Sequence, residues 1–79
     1  MTDVKELLVF IAKNLVDHPD QVSVTEAERE GGVTLELRVN QSDMGKVIGR
    51  GGRVAKDIRS VLRAAARDGA RVHVDIVDS

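Results

Sequence analysis

The 79-residue chain has no cysteine, no tryptophan and no tyrosine; Phe10 is its one aromatic residue and Pro19 its one proline. Without cysteine there are no disulfides, no thiolate metal sites and no cysteine nucleophile, a pattern that fits a reducing compartment. Only two histidines are present, His18 and His73, far apart in sequence, which leaves a zinc site without its usual ligands. Long apolar runs are also missing. Asp3, Lys5, Glu6 and Lys13 interrupt the N-terminal stretch, so it resembles neither a signal peptide nor a membrane span. The apolar content of 42% suffices for one small core, which Leu, Ile, Val and Ala must fill. A chain of this length buries about 60% of its unfolded surface. These features predict one small soluble cytoplasmic domain spanning residues 1–79.

The net charge of −1 conceals an asymmetry. Residues 1–40 hold four cations against eight acids, for −4, whereas residues 41–79 hold eight cations against five acids, for +3. All eight cations of the second half fall between Lys46 and Arg71, with only Asp57 and Asp68 among them. That stretch suits a polyanionic partner. The acidic first half and a pI near 6.1 do not suit a protein that coats nucleic acid indiscriminately.

Hydrophobic periodicity divides the chain into six elements. Val4, Leu7, Leu8, Ile11, Ala12 and Leu15 recur at helical spacing behind a cap at Thr2 or Asp3. Pro19 should end this helix near Asp17. Val22 and Val24 alternate with Ser23 and Thr25 as a short strand, Glu30-Gly31-Gly32 forms a turn, and Val33, Leu35, Leu37 and Val39 make the clearest strand. Ser42 or Gln41 opens a short helix through Ile48. A longer helix follows Gly49-Arg50-Gly51-Gly52 and presents Val54, Ala55, Ile58, Val61, Leu62 and Ala65, with Gly69 as its stop. Val72, Val74 and Ile76 form the last strand. The order αββααβ, with a right-handed crossover between the second and third strands, predicts an α/β two-layer sandwich of three strands and three helices.

The segment from Gly45 to Val54 carries the chemistry. Three glycines in four positions let the backbone turn sharply and approach a ligand closely. The helix start that follows favours an anion, and Lys46, Arg50 and Arg53 add positive charge. A Walker loop would need Gly-Lys-Ser/Thr, and a dinucleotide fingerprint would need glycine at position 54 and a preceding strand; both fail. The run Val47-Ile48-Gly49-Arg50-Gly51-Gly52 resembles the (V/I)-I-G-x-x-G signature of KH domains, whose loop clamps about four nucleotides. The element order is similar to the type II form. The length, Gly45-Lys46 before the signature and the Arg53-to-Ile58 continuation resemble the small stand-alone bacterial KH proteins of the KhpA family.

This resemblance implies a single-stranded RNA-binding protein, an RNA chaperone or post-transcriptional regulator linked to cell division and cell shape. It also implies a homodimer, or a heterodimer with a second KH-containing protein of the Jag/KhpB kind. Gly49 and Gly52 would be the signature glycines, with Arg50 and Gly51 in the variable positions. Val47, Ile48, Val54 and Ile58 would divide between the core and an apolar floor for bases, while Lys46, Arg53 and Lys56 would line the rim. Gly51 leaves one charged residue at the loop tip, which points to a flexible loop and modest affinity. The scarcity of aromatics disfavours an RRM or a stacking OB-fold. No cofactor is expected, and no pairing of His with a nucleophile or of carboxylates suggests an enzyme.

Several residues have plainer readings. Arg59, Arg63 and Arg67 read as a solvated helix face, His73 as a surface residue, Glu26, Glu28 and Glu30 as protection for a strand edge, and Met44 as packing. Phe10 falls either at the core margin or on a dimer surface. Two other functions stand beside RNA binding. One is a helix-turn-helix-like DNA binder built from residues 42–48 and 53–68, although that motif carries polar base-reading side chains where this helix has Val54 and Ala55. The other is a protein-interaction module without nucleic-acid binding.

Overall fold

A computed structural model describes residues 3–29, 31–66 and 71–78. The candidate cap Thr2, the turn residue Glu30, the last stripe member Arg67, Asp68 and the candidate helix stop Gly69 lie outside the described residues. The elements run α1 (Val4–Leu15), β1 (Ser23–Arg29), β2 (Gly32–Val39), α2 (Met44–Ile48), α3 (Arg53–Ala65) and β3 (Arg71–Asp78). This is the expected αββααβ order, with short 3₁₀ turns at Pro19–Gln21, Gln41–Asp43 and Arg50–Gly52.

The sheet has the order β1-β2-β3. β1 pairs antiparallel with β2, from Ser23 opposite Arg38 to Arg29 opposite Gly32. β3 pairs parallel with β2, from Gly32 opposite Arg71 to Val39 opposite Asp78. Strand alternation places Val24, Leu35, Leu37, Val39, Val72 and Val74 on one face, where they are buried with Leu8 and Ala12 of α1, Val47 of α2, and Ile58 and Leu62 of α3. The other face exposes Ser23, Thr25, Arg38, His73 and Asp75. A one-residue slip in any strand would exchange these two sets, so burial itself fixes the register.

Two local expectations are corrected, and one is met with added detail. First, α1 stops at Leu15 rather than near Asp17. Val16 turns extended, and the N–H groups of Asp17 and His18 bond the Asp43 carboxylate instead of continuing the helix. Second, the helical segment opens at Gln41, one of the two expected positions, as a 3₁₀ turn over Gln41–Asp43 that runs into α2 and is capped by Asn40. The Asn40 Oδ1 accepts from the Ser42 N–H at 2.8 Å and from the Ser42 hydroxyl at 2.7 Å. Third, α3 ends at Ala65, before Gly69. Ala66 turns extended and returns its N–H to the Leu62 carbonyl at 2.9 Å, so no glycine adjoins the helix end. The Asp3 cap is as expected, its Oδ1 accepting from the Lys5 N–H at 2.9 Å.

Candidate nucleic-acid interface

The glycine loop joins α2 to α3 through backbone that side chains resist. Gly49 has φ 76° and ψ 171°, a region essentially confined to glycine, and a Cβ there would collide with the Val54 side chain. Gly51 and Gly52 are left-handed, at φ 64° and 78°, with open space where their side chains would be. The loop is therefore both sharply turned and bare. No side chain caps the start of α3; the Arg53 N–H is taken by the Arg50 carbonyl, and the positive end of the helix dipole faces the loop, where it favours an anion. Arg50, Arg53 and Lys56 are exposed around this point.

The four apolar site residues divide between core and surface. Val47 is fully buried and Ile58 nearly so, whereas Ile48 and Val54 are half-buried. Val54 turns toward α1, where it lines a groove of about 410 Å³ with Leu7, Phe10, Ile11, Ile58 and Val61. Phe10 is 66% exposed and Val61 47%; Phe10 thus lies on the surface side of its two expected positions.

Lys46 is not a free rim cation. Its Nζ lies 2.9 Å from Asp17 Oδ2 and 3.5 Å from Asp43 Oδ1. Asp43 is completely buried and is the hub that sequence reasoning missed. Its Oδ1 accepts from the Asp17 N–H at 3.2 Å, and its Oδ2 accepts from the His18 N–H at 3.1 Å and faces His18 Nδ1 at 2.9 Å. Burial alone would raise this carboxyl, but the His18 ring and the two backbone N–H groups outweigh it and hold it below its ordinary value. The Lys46 ammonium is held above its ordinary value, chiefly by the hydrogen bond and charge of Asp17; burial opposes and Asp43 adds. No sequence pattern announces a bond across 25 residues. Chemically, the cluster ties the chain after α1 to the base of α2, immediately before the glycine loop.

α3 separates two kinds of surface. Ala55, Ile58 and Leu62 face the core. Val54 and Val61 border the α1 groove, and Arg59 Nη2 reaches the Val74 carbonyl of β3 at 3.5 Å on the opposite side. Among the described residues there is no group of three or more His, Cys, Asp or Glu side chains placed to hold a metal, and no helix is long and apolar enough to cross a membrane.

Residues 5–76 match the family model described as KhpA/KhpB, KH domain. A relative named RNA-binding protein KhpA from Clostridium acetobutylicum is 54% identical over 74 residues, covering 92% of this chain and 99% of the relative. A protein of the same name from Borreliella burgdorferi is 51% identical, covering 92% and 90%, and one from Aquifex aeolicus is 44% identical over 79 residues, covering 99% and 100%. The expected family and the observed αββααβ architecture coincide over nearly the whole length, and the chain belongs to the KhpA/KhpB family of KH domains.

Proposed function

We propose that residues 1–79 act as one non-catalytic cytoplasmic domain that binds single-stranded RNA, as an RNA chaperone or post-transcriptional regulator. The bare, left-handed glycine loop leading into an uncapped helix start carries this reading. Phosphates would approach Gly49, Arg50, Gly51 and Gly52, with Arg53 and Lys56 pairing at the rim and Lys46 exchanging Asp17 for phosphate. Ile48 and Val54 offer the accessible apolar surface, while Val47 and Ile58 support them from the core. The names of the relatives, RNA-binding protein KhpA, support the same ligand class. A helix-turn-helix reading finds less support, since α2 has only five residues and α3 begins with apolar Val54 and buried Ala55 where that motif carries polar base-reading side chains.

We further propose that a second copy of the chain docks on the α1–α3 groove, where a protruding aromatic and a recess lie side by side, a self-complementary shape suited to two-fold association. Pairing of that kind would raise the avidity of a weak four-nucleotide site. A KH-containing protein of the KhpB kind is the alternative partner.

Fluorescence anisotropy with labelled single-stranded RNA, matched single-stranded DNA and duplex DNA tests the ligand. The wild type should favour single-stranded RNA, with a log–log salt slope of roughly −2 to −3 for three or four phosphate contacts. An Arg50→Asp/Gly51→Asp variant, shown by circular dichroism to be folded, should lose that binding; Asp tolerates the left-handed position at 51. A folded variant that binds as well as wild type makes the loop a structural turn, and preference for duplex DNA transfers the function to the helix pair.

A further inference from the structure

α3 carries more cationic surface than a four-nucleotide clamp requires. Lys56, Arg59 and Arg63 follow one another at intervals of three and four residues, so they share one flank of the helix. Arg59 fixes the direction of that flank, because its guanidinium donates to the Val74 carbonyl of β3 at 3.5 Å. The one acid of α3, Asp57, lies on the other side with Val54 and Val61 at the apolar groove. On β3, His73 and Asp75 sit on the open face of the sheet, where His73 Nε2 pairs with Asp75 Oδ1 at 3.3 Å. Among the described residues no carboxylate forms an ion pair with Lys56, Arg59 or Arg63.

A flank that serves only solubility mixes both signs and gains from pairs four residues apart. This one is of a single sign, begins one turn after the glycine loop and runs about 10 Å from Lys56 to Arg63, taking the helical rise per residue. It also borders the sheet edge, whereas the apolar groove lies on the far side of the helix. Occupancy of one leaves the other open.

We infer that Arg59 and Arg63, continuing from Lys56, form a phosphate track that extends the RNA site from the glycine loop along α3 beside β3. The domain then holds a longer single strand than the about four nucleotides of a G-x-x-G clamp. This rests on the RNA-binding reading above.

Anisotropy of the full chain with a labelled RNA tetramer and octamer, each across a salt series, tests it. The slope is the informative quantity, because the several registers open to an octamer change its affinity but not its slope. Wild type should show an octamer slope steeper than the tetramer slope by about 1.4, for two extra phosphates on a single strand. In Arg59→Gln/Arg63→Gln the tetramer affinity should stay within about twofold while the octamer slope falls to the tetramer value. If circular dichroism shows that the double variant does not fold, Arg63→Gln alone should remove about half of the difference. Equal slopes for the two lengths in wild type, or an octamer slope unchanged by the substitutions, overturn the track and leave tetramer binding at the loop standing. Failure of wild type to bind either probe overturns the RNA reading and the track with it.

Discussion

At the scale of single residues, Asp43 organises the molecule. A buried carboxylate persists when its oxygens are fully hydrogen-bonded and its charge is matched, and here two backbone N–H groups, an imidazole and an ammonium supply those needs. Asp43→Asn removes the charge and leaves His18 and Lys46 without it. It should lower the melting temperature clearly more than Asp17→Asn, because Asp17 is largely exposed and exposed pairs contribute little. Calorimetry of both variants measures the difference. The pH dependence follows from the same contacts. The Asp43 pKa is depressed in the fold, so its contribution is present above the ordinary carboxylate value near 3.8 and is lost as pH falls through the lower folded value. The Lys46 pKa is raised, so its contribution is present below the ordinary value near 10.5 and fades as pH rises through the higher folded value. Acid titration of wild type should therefore show a stability loss below about pH 4 that Asp43→Asn largely lacks.

At the scale of elements, α2 is the least self-sufficient piece. Five residues are far too few for a helix to stand alone, so the Asn40-capped turn that leads into it, the Asp43 ties and Val47 in the core hold it. Its end at Gly49 is strict. Gly49→Ala forces a side chain into glycine-only backbone and against Val54, and should cost about 1–3 kcal/mol in denaturant unfolding. Gly51→Asn should cost clearly less, since asparagine visits left-handed backbone and meets open space there. β1 illustrates a different limit of sequence reading. Val22 and Val24 suggest a short strand, yet pairing with β2 carries it through Glu26 and Glu28 to Arg29. Those glutamates belong to an outer edge strand, where charge discourages pairing with another chain. Ladder hydrogen bonds supplied by β2 override the low strand propensity of the Glu26-Ala27-Glu28 run.

At the scale of the whole molecule, α3 separates two surfaces, with an apolar groove toward α1 and Arg59 reaching β3 on the other side. Val61→Glu places a charge in the groove without touching the glycine loop. Sedimentation should then show wild type as a dimer and the variant as a monomer that still binds a single short RNA with near-wild-type affinity per chain. A wild type that stays monomeric at high micromolar concentration removes the second copy from the groove. The charge asymmetry along the chain acquires a spatial meaning too: Arg50 and Arg53 stand around the glycine loop, and Lys56, Arg59 and Arg63 share one flank of α3.

Much was readable from the residues alone. Alternation in Val33–Val39 and Val72–Ile76, the helical spacing of Val4–Leu15 and the three closely spaced glycines determined the element order, the buried faces and the loop, because each depends on periodicity or on backbone freedom within a few residues. The glycine-loop signature likewise pointed to the family. Tertiary structure decided what depends on distant groups meeting. The Asp43 cluster joins positions 25 residues apart, α1 ends early because its next N–H groups find that carboxylate, Lys46 is committed to Asp17, and Arg59 reaching Val74 sets which side of α3 the cations occupy. Sequence spacing specifies a face of a helix, but only packing determines what that face looks toward.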